Sequence, residues 1–239
     1  MSPAKPKPRR TTAGPPSPVR APRPGGQPAP AEAGRLLVFV KAPRPGFVKT
    51  RLAASLGVEA ATLAHTELVG VTLDRIAGSA NVTLCFTPAD AEAEIASWRR
   101  PGWALLPQVA GDLGRRLERA FACAFAAGAA RVAAIGTDCP DLTADDLGAA
   151  WRALDSADVV LGPAADGGYW LIGLRRPQPA LFDGIAWSTD RVLRQTLAAA
   201  RAAGLRIGLL RELRDVDDEA DWRAYRAGRL VDSRSAGPS

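Results

Sequence analysis

Apolar and polar residues follow one another in short blocks whose period switches between that of a strand and that of a helix. Leu36-Leu37-Val38-Phe39-Val40 is an unbroken apolar run, the pattern of a strand buried on both faces. Val58 to Ala77 has helical spacing, Asn81 to Thr87 reads as a strand, Ala89 to Trp98 as a short helix and Trp103 to Pro107 as a strand. Leu113 to Ala127 is helical and largely apolar, which predicts deep burial. A strand is predicted over Arg131 to Gly136, a helix capped by Thr143 over Leu142 to Leu154, and a strand over Asp158 to Gly162. The next strand, Tyr169 to Leu174, follows after only Pro163 to Gly168, too short a link for a parallel crossover. One antiparallel strand is therefore expected in a mostly parallel sheet. Ser188 to Ala203 is predicted helical with a Ser cap, Arg206 to Leu210 a strand, and Asp218 to Ala227 the last helix. This alternation of strands and helices predicts a three-layer α/β sandwich.

Residues 1–34 depart from the pattern. They hold half of the chain's 20 prolines, six Lys/Arg and one Glu. Such a segment cannot bury enough apolar surface to offset its ordering entropy, so a disordered tail is expected there. A second tail is expected over residues 231–239, leaving a single domain over residues 35–230. The formal charge of +6 belongs mostly to the first tail, because the rest of the chain carries 25 Lys/Arg against 24 Asp/Glu. The folded part is thus nearly neutral and gives no indication of nucleic-acid binding. Cys85, Cys123 and Cys139 are widely spaced with no C-x-x-C pair, which fits neither a disulfide framework nor a zinc site and suits a reducing cytoplasm. No apolar run approaches the length of a membrane span, and the N-terminus has no secretory h-region.

Candidate chemistry gathers at predicted strand ends, where open α/β sheets bind ligands. Lys41 ends the first strand, Pro43, Pro45 and Gly46 force a turn, and Lys49 and Arg51 follow. Three cations in one strand-end loop suit a phosphate site, although a solvated basic loop has the same composition. The loop is not a Walker P-loop, since Val48 rather than Gly precedes Lys49-Thr50, and it lacks the three glycines of a dinucleotide fingerprint. Gly136-Thr137-Asp138-Cys139-Pro140-Asp141 places two carboxylates around a turn. Asp138, nearer the strand, is the better ligand for a hard divalent cation, and Asp141 is the better candidate for a helix cap. Asp166 lies in a turn with Gly167, Gly168 and Tyr169. Asp-Gly is a common hairpin signal, but the second glycine also suits close approach of a ligand. Asp215-Val216-Asp217-Asp218 should provide one N-cap and one carboxylate facing the cleft. Gly111-Asp112-Leu113-Gly114-Arg115-Arg116 opens a helix, where unpaired N–H groups suit a ribose or base, or where Asp112 simply caps. His65, the chain's one histidine, is expected to be structural.

The blocks KAPRPGFVKTRL, GDLGRRLERAF, GTDCPDL, LGPAADGGYWLIGL, WST and DVDDEADW, in that order, resemble a family of glycosyltransferases associated with arsenosugar biosynthesis, long a domain of unknown function. The resemblance spans roughly residues 35–227. It places the chain in the GT-A, or nucleotide-diphospho-sugar transferase, superfamily, and implies a Rossmann-like three-layer α/β/α fold. It implies Mg²⁺ or Mn²⁺ held by Asp138 and Asp217, and a nucleotide-diphosphate sugar (or an NTP) and a small acceptor as substrates. The Gly-rich opening loop of nucleotidyltransferases is replaced here by Lys41-Ala42-Pro43. The expected function is metal-dependent glycosyl transfer, with nucleotidyl transfer or a non-enzymatic nucleotide sensor as the alternatives. The residues expected to act are Lys41, Pro43, Gly46, Lys49, Arg51, Gly111, Asp112 and Gly114 on the nucleotide or its phosphates, Gly167, Gly168 and Tyr169 on the substrate, and Asp166 as base.

Overall fold

The computed structural model describes residues 34–235. The tail expected before Arg35 lies outside these residues except for Gly34, as do residues 236–239. The first strand, β1 (Arg35–Lys41), sits in the middle of a seven-stranded sheet. Its side chains alternate between two cores, as a strand buried on both faces requires. Leu36, Val38 and Val40 join one core, and Leu37 and Phe39 the other. β2 (Val82–Thr87) pairs parallel on one side of β1, and β3 (Ala104–Pro107) lies beyond it. The chain then crosses back to β4 (Val132–Ile135), parallel to β1 on its other side. The strand order therefore reverses between β1 and β4, and the crevice where ligands bind in such sheets opens at their carboxyl ends. β5 (Val159–Pro163), β6 (Tyr169–Leu174) and β7 (Ile207–Leu209) complete the order β3-β2-β1-β4-β6-β5-β7. β6 is the expected antiparallel strand and pairs with both β4 and β5.

Helices cover both faces. α2 (Val58–Arg75) and α5 (Ala144–Ala153) pack on one core, α4 (Leu113–Ala126) and α6 (Val192–Ala202) on the other. α3 (Glu92–Ala96) is short and flanks the β2–β3 edge. No helix among the described residues is long and apolar enough to cross a membrane.

Four local expectations are corrected. The loop after Lys49 becomes a helix at once, α1 (Thr50–Leu56), so Arg51 lies in its first turn and not on an extended loop. α4 is amphipathic and not buried all round. Leu117, Phe121 and Ala124 face the sheet, while Arg115, Glu118 and Arg119 are exposed. α6 starts at Val192, because Ser188 sits at φ 62° in the left-handed region and cannot cap it. The last helix, α7 (Glu219–Ser235), runs through the start of the expected second tail.

The N-terminus of α5 ties the sheet's far edge to β4. Thr143 caps the helix, and Asp146 closes a reciprocal capping box by accepting from the Thr143 backbone N–H at 2.8 Å. Asp141, the other candidate cap, is exposed and does not take that role. Asp146 also receives the Arg211 guanidinium in a two-point contact at 2.6 and 2.8 Å, while Arg211 donates to the Asp141 carbonyl. Hydrogen bonding from Arg211, and then from Thr143, holds the Asp146 carboxyl down at about 2. A depressed carboxylate contributes stability that is complete above its unfolded pKa and disappears as pH falls through its folded one. Asp146→Asn should therefore lower the melting temperature at neutral pH, by an amount equivalent to roughly 1.5–3 kcal/mol. The gap to wild type should narrow between about pH 4 and pH 2. A gap that stays constant over this range would show that the Arg211 pair does not support the fold.

Candidate functional site

The residues after β1 make the first wall of the crevice. Lys41 ends the strand, and its carbonyl meets Nε2 of His65 at 3.0 Å. His65 is buried edge-on to Trp98, and burial lowers its pKa, so it is a neutral brace for the strand end. Arg44, between the two prolines, points away from the crevice and pairs with Glu94 at 2.6 Å and Asp90 at 3.2 Å, anchoring the loop to the neighbouring α3 region. Gly46 supplies a left-handed turn at φ 81°.

At Lys49 the chain adopts φ 46° and ψ 49°, an uncommon conformation for a side-chain-bearing residue, just before α1. Its side chain is only 5% exposed. The ammonium lies 2.6 Å from the Asp138 carboxylate and donates to the Val216 carbonyl. The Val216 N–H in turn donates to the Asp138 carbonyl at 2.9 Å. The loop after β1, the loop after β4 and the segment after β7 are thus joined at one buried charge. Arg51, much more exposed, pairs with Asp217 at 2.8 Å.

The second wall comes from β4 to β7. Asp215 and Asp217 line the crevice while Val216 between them is buried, the alternation of an extended segment. Asp218, next along, caps α7 by accepting from the N–H groups of Ala220 and Asp221. Asp166 accepts from the Gly168 N–H at 2.8 Å in the β5–β6 turn. Burial raises the Asp215 pKa, and the neighbouring Asp166 carboxylate raises it further. The thiol of Cys139 is likewise pushed up, by burial first and then by Asp138, Asp215 and Asp166, so it stays protonated and is no nucleophile.

The cleft between the walls has a volume of about 800 Å³. Of the residues expected to act, Lys41, Lys49, Arg51, Asp138, Asp166, Gly168, Tyr169 and Asp217 line it. Pro43, Gly46, Gly111, Asp112, Gly114 and Gly167 are not among the lining residues. The Asp112 carboxylate caps α4 through the Arg115 N–H at 2.9 Å. Gly114 packs so closely that a Cβ there would come within 2.4 Å of the Trp187 indole. A Cβ on Gly167 would come within 2.3 Å of the Asp190 carbonyl oxygen, so packing by itself requires glycine here. Tyr169 presents its ring, packed edge-on to Trp187, while its hydroxyl is buried near Thr196.

The cleft also contains Arg116, Asp190 and Asp215, which the sequence reading did not assign. Arg116 belongs to a block that stood out for its glycines, but it lies within α4 and its Nε donates back to the Gly111 carbonyl at 2.9 Å. Asp190 follows the WST block and joins the site only because Gly167 packs against it. Lys41 and Arg116 make no ion pair among the described residues, in contrast to Lys49 and Arg51.

The geometry can be set beside known proteins. The structure is similar to the crystal structure of a provisionally named nucleotide-diphospho-sugar transferase from Desulfovibrio desulfuricans G20, with 35% sequence identity, coverage of 78% of this chain and 83% of that one, and a TM-score of 0.74. Residues 72–189 match the family described as an uncharacterized protein conserved in bacteria, DUF2064. The 35% identity over most of both chains places this chain in the family of the Desulfovibrio protein. No curated protein matches it. In fold alone it is similar to CMP:2-keto-3-deoxy-manno-octonic acid synthetase complexed with CTP, at 11% identity over 84% of this chain and 100% of that one, TM-score 0.55. It is also similar in fold to 4-diphosphocytidyl-2C-methyl-D-erythritol synthase from Anaerococcus prevotii DSM 20548, at 8% identity over 84% and 99%, TM-score 0.59. The fold of this family member is thus the α/β/α nucleotide-diphospho-sugar transferase fold.

The junction at Lys49 can be tested by a double-mutant cycle. Lys49→Met keeps the buried stem but removes the charge, leaving the Val216 carbonyl unpaired and the carboxylates uncompensated. It should cost about 1.5–3 kcal/mol, or roughly 3–12 °C in melting temperature for a domain of this size. Asp138→Asn should also destabilise, because it leaves the ammonium without its carboxylate partner. The double variant should lose less than the sum of the two. Strictly additive losses would mean that the pair carries no coupling.

Proposed function

We propose that the protein is a transferase that moves a sugar from a nucleotide-diphosphate sugar to a small acceptor, assisted by Mg²⁺ or Mn²⁺. The observation that carries this reading is the pair of cations without carboxylate partners, Lys41 and Arg116, which line the same switch-point cleft as the carboxylates Asp138, Asp166 and Asp217. Cations placed on a departing diphosphate act where negative charge grows as the glycosidic bond breaks. The provisional name of the Desulfovibrio relative supports the same class.

In this reading Lys41 and Arg116 hold the diphosphate, and Lys49 and Arg51 set the positions of Asp138 and Asp217. Asp166 uses one oxygen to fix its own turn through Gly168 and has the other available as general base. It takes the proton of the acceptor hydroxyl as that oxygen bonds to the anomeric carbon. The bond from that carbon to the diphosphate oxygen breaks, and its electron pair leaves with the nucleoside diphosphate. The nucleoside diphosphate and the glycosylated acceptor are the two products.

Among the described residues no three His, Cys, Asp or Glu side chains are grouped to hold a metal ion. The donor chemistry nonetheless fits a hard divalent ion, which takes one or two carboxylates and completes its shell with substrate phosphate and water. Lys49 engages Oδ1 of Asp138 and Arg51 engages Oδ2 of Asp217, which leaves one oxygen of each free of these cations. Asp138 and Asp217 are the residues that would hold the ion, which when bound supplies positive charge to the diphosphate.

Titration calorimetry with UDP, GDP and CDP in the presence of Mn²⁺ tests the assignment. Lys41→Ala and Arg116→Ala should each weaken the bound diphosphate by roughly 10- to 150-fold, the worth of a charge-assisted hydrogen bond. Arg51→Ala, which breaks an exposed pair, should stay within about fivefold. If both Lys41→Ala and Arg116→Ala bind like wild type, the phosphate site is elsewhere. Turnover with nucleotide sugars should release nucleoside diphosphate; release of pyrophosphate from NTPs would instead identify a nucleotidyltransferase.

A further inference from the structure

The cleft sorts its charges by strand. Lys41, Lys49 and Arg51 come from the end of β1 and the turn of helix after it, and Arg116 from α4. Every carboxylate in the lining comes from the other side of the switch point. Asp138 follows β4, Asp166 lies between β5 and β6, Asp190 precedes α6, and Asp215 and Asp217 follow β7. The two cations that reach across are already engaged, Lys49 with Asp138 and Arg51 with Asp217. Asp166, Asp190 and Asp215 make no ion pair among the described residues.

Asp166 and Asp190 are held together by the backbone. Gly167, at φ 86°, leaves no room for a Cβ against the Asp190 carbonyl, and its own carbonyl accepts from the Leu193 N–H at 2.9 Å. The 186–190 segment is fastened at its near end, where the Ala186 N–H donates to the Gln195 side chain at 2.8 Å and the Thr189 hydroxyl donates to the Ala186 carbonyl at 2.7 Å. Neither carboxylate can therefore retreat by a simple loop movement when a ligand arrives. An ionised carboxylate only accepts hydrogen bonds, so Asp166 and Asp190 offer acceptors and bring no positive charge of their own.

We propose that the acceptor half of the cleft selects an uncharged or amine-bearing hydroxyl compound and rejects phosphorylated and carboxylated ones, with Asp190, locked beside Asp166, as the specificity-determining residue. The inference rests on the proposed nucleotide-sugar reading and names the acceptor class for the same site. Hydroxyl and ammonium groups donate to Asp166 and Asp190, whereas a phosphate or carboxylate would face like charge, with the ion proposed on Asp138 and Asp217 already taken up by the donor's diphosphate. The same arrangement opposes nucleotidyl transfer to a substrate phosphate, which would have to bring its own charge into this half.

The test has two stages. Titration with UDP, GDP and CDP first establishes the nucleotide site; if none binds, the underlying reading fails and the acceptor inference falls with it. With the bound nucleoside diphosphate at saturation, ligand-observed NMR then compares matched compounds: glucose, glucosamine, glucose 6-phosphate and gluconate, and glycerol against glycerol 3-phosphate. The neutral and amino members should bind, and the phosphate and carboxylate members should bind about tenfold more weakly or worse. Asp190→Asn should narrow that gap by about threefold or more, with nucleoside diphosphate affinity and melting temperature as readouts that a general loss of structure would move. Nucleoside diphosphate binding together with equal or tighter binding of the charged members would overturn the inference alone. So would failure of every neutral and amino member to bind, or an Asp190→Asn variant with unchanged discrimination.

Discussion

The ammonium of Lys49 lies where three strand-end segments meet, and the cleft takes its shape from that contact. A buried ammonium needs its donors satisfied and its charge matched, and here one carboxylate and one carbonyl do both. Because the carbonyl belongs to Val216, the residues on either side of it, Asp215 and Asp217, are placed in the cleft as a consequence. Because the carboxylate belongs to Asp138, the turn after β4 is fixed relative to the first loop. The left-handed backbone of Lys49 is the local strain that this arrangement sustains.

Around this junction, cations and carboxylates fall into two functional groups. Lys49 and Arg51 lie beside carboxylates and shape the walls. Lys41 and Arg116 make no ion pair among the described residues and are the charges to which the proposed function assigns the diphosphate. The carboxylates divide likewise. Asp138 and Asp217 pair with cations, whereas Asp166 and Asp215 make no ion pair among the described residues; burial raises the Asp215 carboxyl first, and the Asp166 charge raises it further. In the proposed function, this division holds a diphosphate on one side and offers hydrogen-bond acceptors to a second molecule on the other.

Helix ends and tight packing explain why several plausible residues stay out of the cleft. Asp112 and Asp218 are drawn to unpaired N–H groups at the starts of α4 and α7. Gly114 and Gly167 are set by the approach of Trp187 and of the Asp190 backbone. Tyr169 belongs to the cleft lining, while its hydroxyl is buried.

Much of the fold follows from local pattern alone. The unbroken apolar run of β1 requires cover on both faces, the short β5–β6 link requires an antiparallel strand, and Thr143 caps its helix wherever the helix packs. The candidate loops could likewise be placed at strand ends, because the hydrophobic period stops there. Partner choice could not be read in the same way. Lys49 and Asp138 lie far apart in sequence, and whether a lysine meets phosphate, solvent or a carboxylate depends on which strand ends the sheet order brings together. The same holds for Ser188, which resembles a helix cap in sequence but takes a left-handed turn before α6, and for Asp190, which enters the cleft because a distant glycine leaves room for its backbone. Period and caps act over a few residues, so the sequence determined the elements. Charge pairing acts through space, so only the tertiary structure decided which of the charges remain available to a ligand.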